Sequence, residues 1–208
     1  MKILVAGANG KTGKLVVKQL MEAGHEAMGL IRKQAQEDQL LSSGAKPLVK
    51  DINDKSLAED LPGTDAVIFA AAGGTGHHQQ VDHHGVKNLI EACQAGTTDR
   101  FILISALGAH DPGSWGFAYK GYLQAKADGE AELKSSSLKW TIIRPGSLNN
   151  GNAGGQVTLN QNAGGMGSIA RADVAAVAVA CLEDDRSIGK TFELYDGNMP
   201  IKEAIANL

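Results

Sequence analysis

The segment Gly7-Ala-Asn-Gly-Lys-Thr-Gly13 stands between two patterns of different period. The run KILVAG at 2–7 reads as a strand, and GKLVVKQLMEAG at 13–24 reads as a helix closed by Gly24. Glycine meets three needs at such a junction. Gly7 allows a sharp turn, Gly10 lets an anion approach the backbone with no Cβ in the way, and Gly13 lets the helix pack close on the strand. The amide groups at the helix start then face the anion. An ordinary turn also uses glycine, but a strand before and a helix after are the context a dinucleotide-binding turn demands. Gly7, Asn9, Gly10, Lys11, Thr12 and Gly13 are therefore assigned to a dinucleotide cofactor. Their spacing is GxxGxxG, not GxGxxG.

The rest of the chain repeats this alternation. Strands are expected at 26–32, 45–50, 64–72, 100–106, 139–145 and 190–195, and helices at 33–44, 54–61, 78–96, 119–137 and 171–184. Near-continuous apolar strands separated by helices imply an α/β fold with a doubly wound parallel sheet, a Rossmann fold covered on both faces. With 208 residues the chain reads as one domain with a real core. The exception is 146–168, rich in Gly and Asn, where only QVTL looks strand-like. It is expected to be an irregular, substrate-side segment near the carboxyl ends of the strands, with a small C-terminal extension beyond it.

Charge and composition exclude several classes. The net charge is -3 and no Lys/Arg block occurs, so no footprint for nucleic acid or an anionic membrane is expected. No apolar run approaches the roughly 20 residues of a membrane span. The first strand begins straight after Met1, which leaves no room for a signal peptide. Cys93 and Cys181 sit singly among small apolar residues and read as buried reduced thiols. A cytoplasmic protein acting on a small molecule, as a monomer or homodimer, is the expectation.

Many dinucleotide folds end the second strand in an acid that holds the ribose 2′-OH. Here that strand ends Leu30-Ile-Arg-Lys33. A guanidinium at Arg32, with Lys33 beside it, suits a 2′-phosphate, which points to NADP, with NAD possible. Asp51 and Ile52, after the third strand, are placed at the adenine. The Asp51 carboxylate serves equally well as a cap for the next short helix.

Tyr122 and Lys126 lie four residues apart on an expected helix and share a face. A free phenol is a poor acid–base catalyst at neutral pH, and a neighbouring ammonium favours the phenolate. Tyr122 is then the candidate proton donor to a carbonyl oxygen, and Ser105, ending the strand RFILIS, a hydrogen-bond donor to the same oxygen. His77, His78, His83 and His84, with Asp82, have a spacing that zinc can use, but nothing elsewhere completes a site. No metal is expected, and the run reads as a solvated helix face or as one histidine near the substrate.

Taken in order, the glycines at 7–13, the basic residue after the second strand, FAAAG at 69–73, Ser105, Tyr122 with Lys126, and TIIRPG at 141–146 resemble the atypical, extended-like short-chain dehydrogenases/reductases. These are NAD(P)-binding proteins similar to biliverdin-IX-beta/flavin reductases and to NAD-dependent epimerase/dehydratases. The resemblance implies that Ala70, Ala71 and Ala72 line the crossing between adenine and nicotinamide, and that Arg144, Pro145 and Gly146 lie beside nicotinamide or substrate. It implies hydride transfer between NADPH and a small carbonyl, quinone or flavin-like acceptor. An epimerase/dehydratase, or a non-catalytic NADPH/NADP redox sensor, are the alternatives. The short stretch after Gly146 argues against a sugar-nucleotide substrate. The Tyr–Lys pair, which flavin-reductase-like members tend to lack, argues for catalysis.

Overall fold

The computed structural model describes residues 1–208. In β1 (Lys2–Ala6), Ile3, Leu4, Val5 and Ala6 are all fully buried, with no alternation between faces. A strand buried on both sides belongs in the middle of a parallel sheet whose crossover helices cover both faces. That is where β1 lies. With β2 (Glu26–Ile31), β3 (Lys46–Val49), β4 (Ala66–Phe69), β5 (Arg100–Ile104) and β6 (Lys139–Pro145), it forms a parallel sheet in the order β3-β2-β1-β4-β5-β6. The chain leaves β1 toward β2 and β3, then crosses back to place β4 on the other side. The topological switch point falls between β1 and β4, and a ligand crevice opens at the carboxyl ends of such strands.

The helices follow from their apolar spacing. In α1 (Lys11–Glu22), Gly13, Val16, Val17 and Leu20 form the buried stripe. Gly24, at φ +79°, ends the helix: its amide bonds Met21 O and the His25 amide bonds Leu20 O, a Schellman cap that only a residue tolerant of positive φ supplies without strain. α2 (Glu37–Ser42) packs on β3, and the short α3 (Leu57–Asp60) buries Leu57 on the opposite side of the sheet from Leu40 of α2. A π-helical turn at Gln79–Gly85 runs into α4 (Val86–Ala95), and α5 (Phe117–Ser135) lies beside it. α4 and α5 cover one face of the sheet with Val86, Leu89, Cys93 and Leu133. The other face is covered by α1 and by α6 (Arg171–Glu183), through Val174, Val177, Ala178 and Cys181. Burial pushes both thiols up to about 12, so neither is a nucleophile near neutral pH.

The region after β6 holds more structure than its composition suggests. β7 (Ser147–Asn149) pairs in parallel with β9 (Ser168–Ala170) as a small separate sheet. β8 (Gln156–Asn160), which contains QVTL, joins the main sheet antiparallel to β10 (Lys190–Asp196), and β10 is itself parallel to β6. β11 (Met199–Pro200) and α7 (Ile201–Ala206) follow; neither carries a periodic pattern long enough to stand out in the sequence. The glycines of this region pack: a Cβ on Gly146 would lie 2.3 Å from Gly167 O, and one on Gly167 2.6 Å from the Tyr195 ring.

Candidate active site

At the switch point, the loop after β1 meets the loop after β4. Gly7 has φ +79°, and a Cβ there would come within 2.6 Å of Ala71 Cα. A Cβ on Gly13 would lie 2.1 Å from Gly7 O, so Gly13 is what brings α1 against the turn. Gly10 meets only Gly7 O, at 3.1 Å, and otherwise faces open space. Beyond these loops lies a cleft of about 420 Å³. Its walls include Gly7, Asn9, Gly10, Arg32, Ile52, Ala70, Ala71 and Ala72, all expected from the sequence, His77 from the histidine run, and Lys50, which was not expected. No side chain caps α1, and the amides of Lys11, Thr12 and Gly13 have no protein partners. Gly7 and Gly10 in the cleft wall, followed by the unpaired amides of Lys11, Thr12 and Gly13, which themselves do not line it, fit a dinucleotide pyrophosphate. Gly13→Ala should therefore weaken binding of a nicotinamide dinucleotide at least tenfold and lower stability by about 1–3 kcal/mol, the range for overpacking. Nucleotide titration and a thermal melt read the two effects.

The other expected cofactor contacts divide. Lys33 and Asp51 are exposed and do not line the cleft. The Asp51 carboxylate instead accepts the amide of Asn53 at 2.9 Å, closing a local turn, and it does not cap the short helix, whose N-cap position is Ser56 with no side-chain cap. Lys50 replaces Lys33 as the second cation of the wall, but it is tied to Asp60 at 2.5 Å and to Ser56 Oγ at 2.8 Å. Arg32 is exposed and makes no ion pair. Pro145, the last residue of β6, and Gly146, which joins β6 to β7, lie off this wall.

Beside the cleft, α5 carries a polar stripe at four-residue spacing: Tyr122, Lys126, Glu130. Tyr122 is half-buried, its ring edge-on to His78 with centroids 5.2 Å apart, and its hydroxyl bonds no protein group. Lys126 is buried with Nζ 6.0 Å from the centroid of the Tyr122 ring. Its ammonium pairs with Asp82 Oδ1 at 2.9 Å and donates to Ile104 O at 3.1 Å. Burial alone pulls this ammonium down. The charges of Asp82, Tyr122 and Glu130 outweigh it and hold Lys126 above the usual lysine range.

Ser105 and Arg144 both turn to Glu130. Ser105 Oγ donates to Glu130 Oε1 at 2.6 Å, while Arg144 bonds both carboxylate oxygens, Nε at 2.9 Å and Nη2 at 2.6 Å. The structure thus brings Tyr122 and Lys126 together as the spacing predicts, and places the Ser105 hydroxyl in a buried ionic cluster. Glu130 was legible as the third member of the helical stripe. Asp82, considered only as a metal ligand, had no local signal pointing to Lys126. His83 bonds Gln79 Oε1 at 3.0 Å and its ring lies 4.9 Å from that of the exposed His84, while His78 packs on Tyr122.

Parallel strands, a glycine turn at the switch point and a Tyr–Lys pair beside the resulting cleft define a nucleotide-binding protein of the Rossmann class. The family model described as NAD(P)H-binding matches residues 7–185. The chain belongs to that NAD(P)H-binding family. It is 34% identical over the full length of both chains to the uncharacterized sugar epimerase YhfK of Bacillus subtilis (strain 168). A solved structure of a candidate NAD-dependent epimerase/dehydratase from Bacillus halodurans superposes over the whole of both chains with a TM-score of 0.95, at 34% identity. Sanguinarine reductase of Eschscholzia californica is 29% identical, the match covering 93% of this chain and 88% of that one. No helix of the structure is long and apolar enough to cross a membrane.

Proposed function

We propose that the chain is an NADP-preferring oxidoreductase of the short-chain dehydrogenase/reductase type, acting on a small carbonyl, quinone or flavin-like acceptor. The observation that carries this reading is the pairing on α5. A phenol with no protein partner stands above a buried, charged lysine, and that lysine lies 3.5 Å from the carbonyl of Ala71, in the wall of the cleft that Gly7, Gly10 and Ala70–Ala72 line. The bound nicotinamide nucleotide would supply hydride. The Tyr122 hydroxyl supplies the proton to the acceptor oxygen, and Lys126, fixed beneath the ring, favours the phenolate left behind. His78 packs on the edge of the ring and limits its rotation. Sanguinarine reductase, a reductase by name, supports this reading. The names of the two 34%-identical relatives support a second, an epimerase or dehydratase that uses NAD transiently. NADPH consumption in a screen of carbonyls, quinones and flavins separates them, because an epimerase consumes none.

Cofactor choice rests on Arg32. It lines the cleft and is free of ion pairs, and no carboxylate accompanies it at the end of β2. A charge-assisted bond to a 2′-phosphate contributes about 1.5–3 kcal/mol. NADPH should therefore bind roughly tenfold to a hundredfold more tightly than NADH. Salt should weaken that preference, because the site is open to solvent. Arg32→Asp should reverse it by replacing an attracting charge with a repelling one. Titration of both proteins with both nucleotides is the test. Equal wild-type affinities would remove Arg32 as a 2′-phosphate ligand and favour the epimerase/dehydratase reading.

A further inference from the structure

We propose that Asp82 is a positioning residue that ties the cofactor loop to the Tyr–Lys pair through a single carboxylate. This rests on the oxidoreductase reading and adds a residue to it. Asp82 is 1% exposed, in the π-helical turn before α4. Its Oδ2 accepts the Gly73 amide at 2.9 Å, and Gly73 belongs to the loop that lines the cleft. Its Oδ1 holds the Lys126 ammonium at 2.9 Å. His78 Nδ1 lies 3.7 Å from Oδ2, and the His78 ring meets Tyr122. One side chain therefore touches the loop after β4, the lysine of α5 and the histidine packed on the tyrosine.

The backbone around Asp82 is arranged for this reach. A Cβ on Gly129 would lie 2.3 Å from Asp82 O, so glycine is what lets α5 close on the π turn. A π turn adds one residue to a helix and re-aims its side chains, and such turns gather at functional sites. A buried carboxylate and a buried ammonium are each expensive to keep dry, and each offsets the other. The remaining groups facing Lys126 are Tyr122 and Glu130 on α5 and the carbonyls of Ile104 and Ala71. Arg144 of β6 occupies Glu130, which leaves Asp82 as the carboxylate in direct contact with the ammonium.

The two arms of the carboxylate can be tested separately. Asp82→Asn keeps an acceptor for Gly73 but removes the charge. Asp82→Leu removes both. The Lys126 ammonium is followed by carbon NMR at Cε, with the resonance assigned by its loss in Lys126→Met. In the wild type its titration should lie above the ordinary lysine range, held there by Asp82, and in Asp82→Asn it should move down, because burial then acts without that counter-charge. NADPH affinity, read by fluorescence, should change less than about threefold in Asp82→Asn and fall at least about tenfold in Asp82→Leu, the scale of one lost charge-assisted bond. If Asp82→Leu does not fold with Lys126 uncompensated, Asp82→Leu/Lys126→Met removes both charges and is compared with Lys126→Met alone. A merely structural role would leave the lysine titration where it is and weaken NADPH equally in the Asn and Leu variants. Either result would overturn the proposal. Turnover separates this from the underlying reading: if Lys126→Met turns over NADPH as the wild type does, the Tyr–Lys reading itself fails.

Discussion

Tyr122→Phe is expected to lower NADPH-dependent turnover about a hundredfold or more, the scale of general acid–base catalysis. The substitution is clean because of where the ring sits. Its edge contact with His78 and its place over Lys126 are both properties of the ring, which phenylalanine keeps. The hydroxyl makes no hydrogen bond to the protein, so no buried partner is left unsatisfied. Melting temperature and NADPH affinity should stay within error of the wild type. Loss of turnover with both unchanged assigns the proton to Tyr122. Undiminished turnover would mean that the acceptor takes its proton from solvent, as a flavin-like acceptor can, or that the protein is a sensor.

Glu130→Leu is expected to have the largest effect on stability. Glu130 is 2% exposed and receives three donors from two strands: the Ser105 hydroxyl of the β5 end, and two nitrogens of Arg144 in β6. Lys134, one turn along α5, adds a longer contact at 3.5 Å. Leucine leaves the Arg144 guanidinium, itself 9% exposed, without a counter-charge. Breaking a buried pair from one side costs about 3–5 kcal/mol. For a chain of this size that is a fall of roughly 6–20 °C in melting temperature. Replacing both partners, as in Glu130→Leu/Arg144→Leu, should recover most of the loss, because no lone charge remains. A fall of under about 1 kcal/mol in the single variant would show that Arg144 finds another partner or reaches water. The same geometry reassigns Ser105. With its hydroxyl held by Glu130, Ser105 fastens α5 to the sheet, and its contact with a substrate oxygen requires that bond to open.

These two residues mark the limit of what was legible in the sequence. The strand–helix alternation, the glycine turn and the placing of Tyr122 over Lys126 follow from spacings within one element or across one turn. The helix period puts residues four apart on one face wherever the helix ends up, and a Cβ-free turn is required wherever a strand must become a helix under a ligand. Gly7, at φ +79°, makes the sharp turn, and Gly13 stands where a Cβ would strike that turn. The cations of the cleft wall show the complementary limit. Lys33 follows Arg32 in the chain, but Lys50 follows β3, which lies beside β2 in the sheet, and its side chain lines the wall where that of Lys33 does not.

Sequence alone thus determined the class of fold, the position of the nucleotide turn and the helical face that carries the Tyr–Lys pair. Tertiary structure decided which charges those residues live with. Asp82 reaches Lys126 because Gly129 lets two helices touch, and Glu130 takes both Ser105 and Arg144 because β5 and β6 are neighbours in register. The physical reason is one of range. Periodicity and turn sterics act over a few residues and leave a trace in the order of letters. The partner of a buried charge is chosen when water is expelled between elements distant in the chain, and desolvation then forces whichever opposite charge is within reach to pair with it.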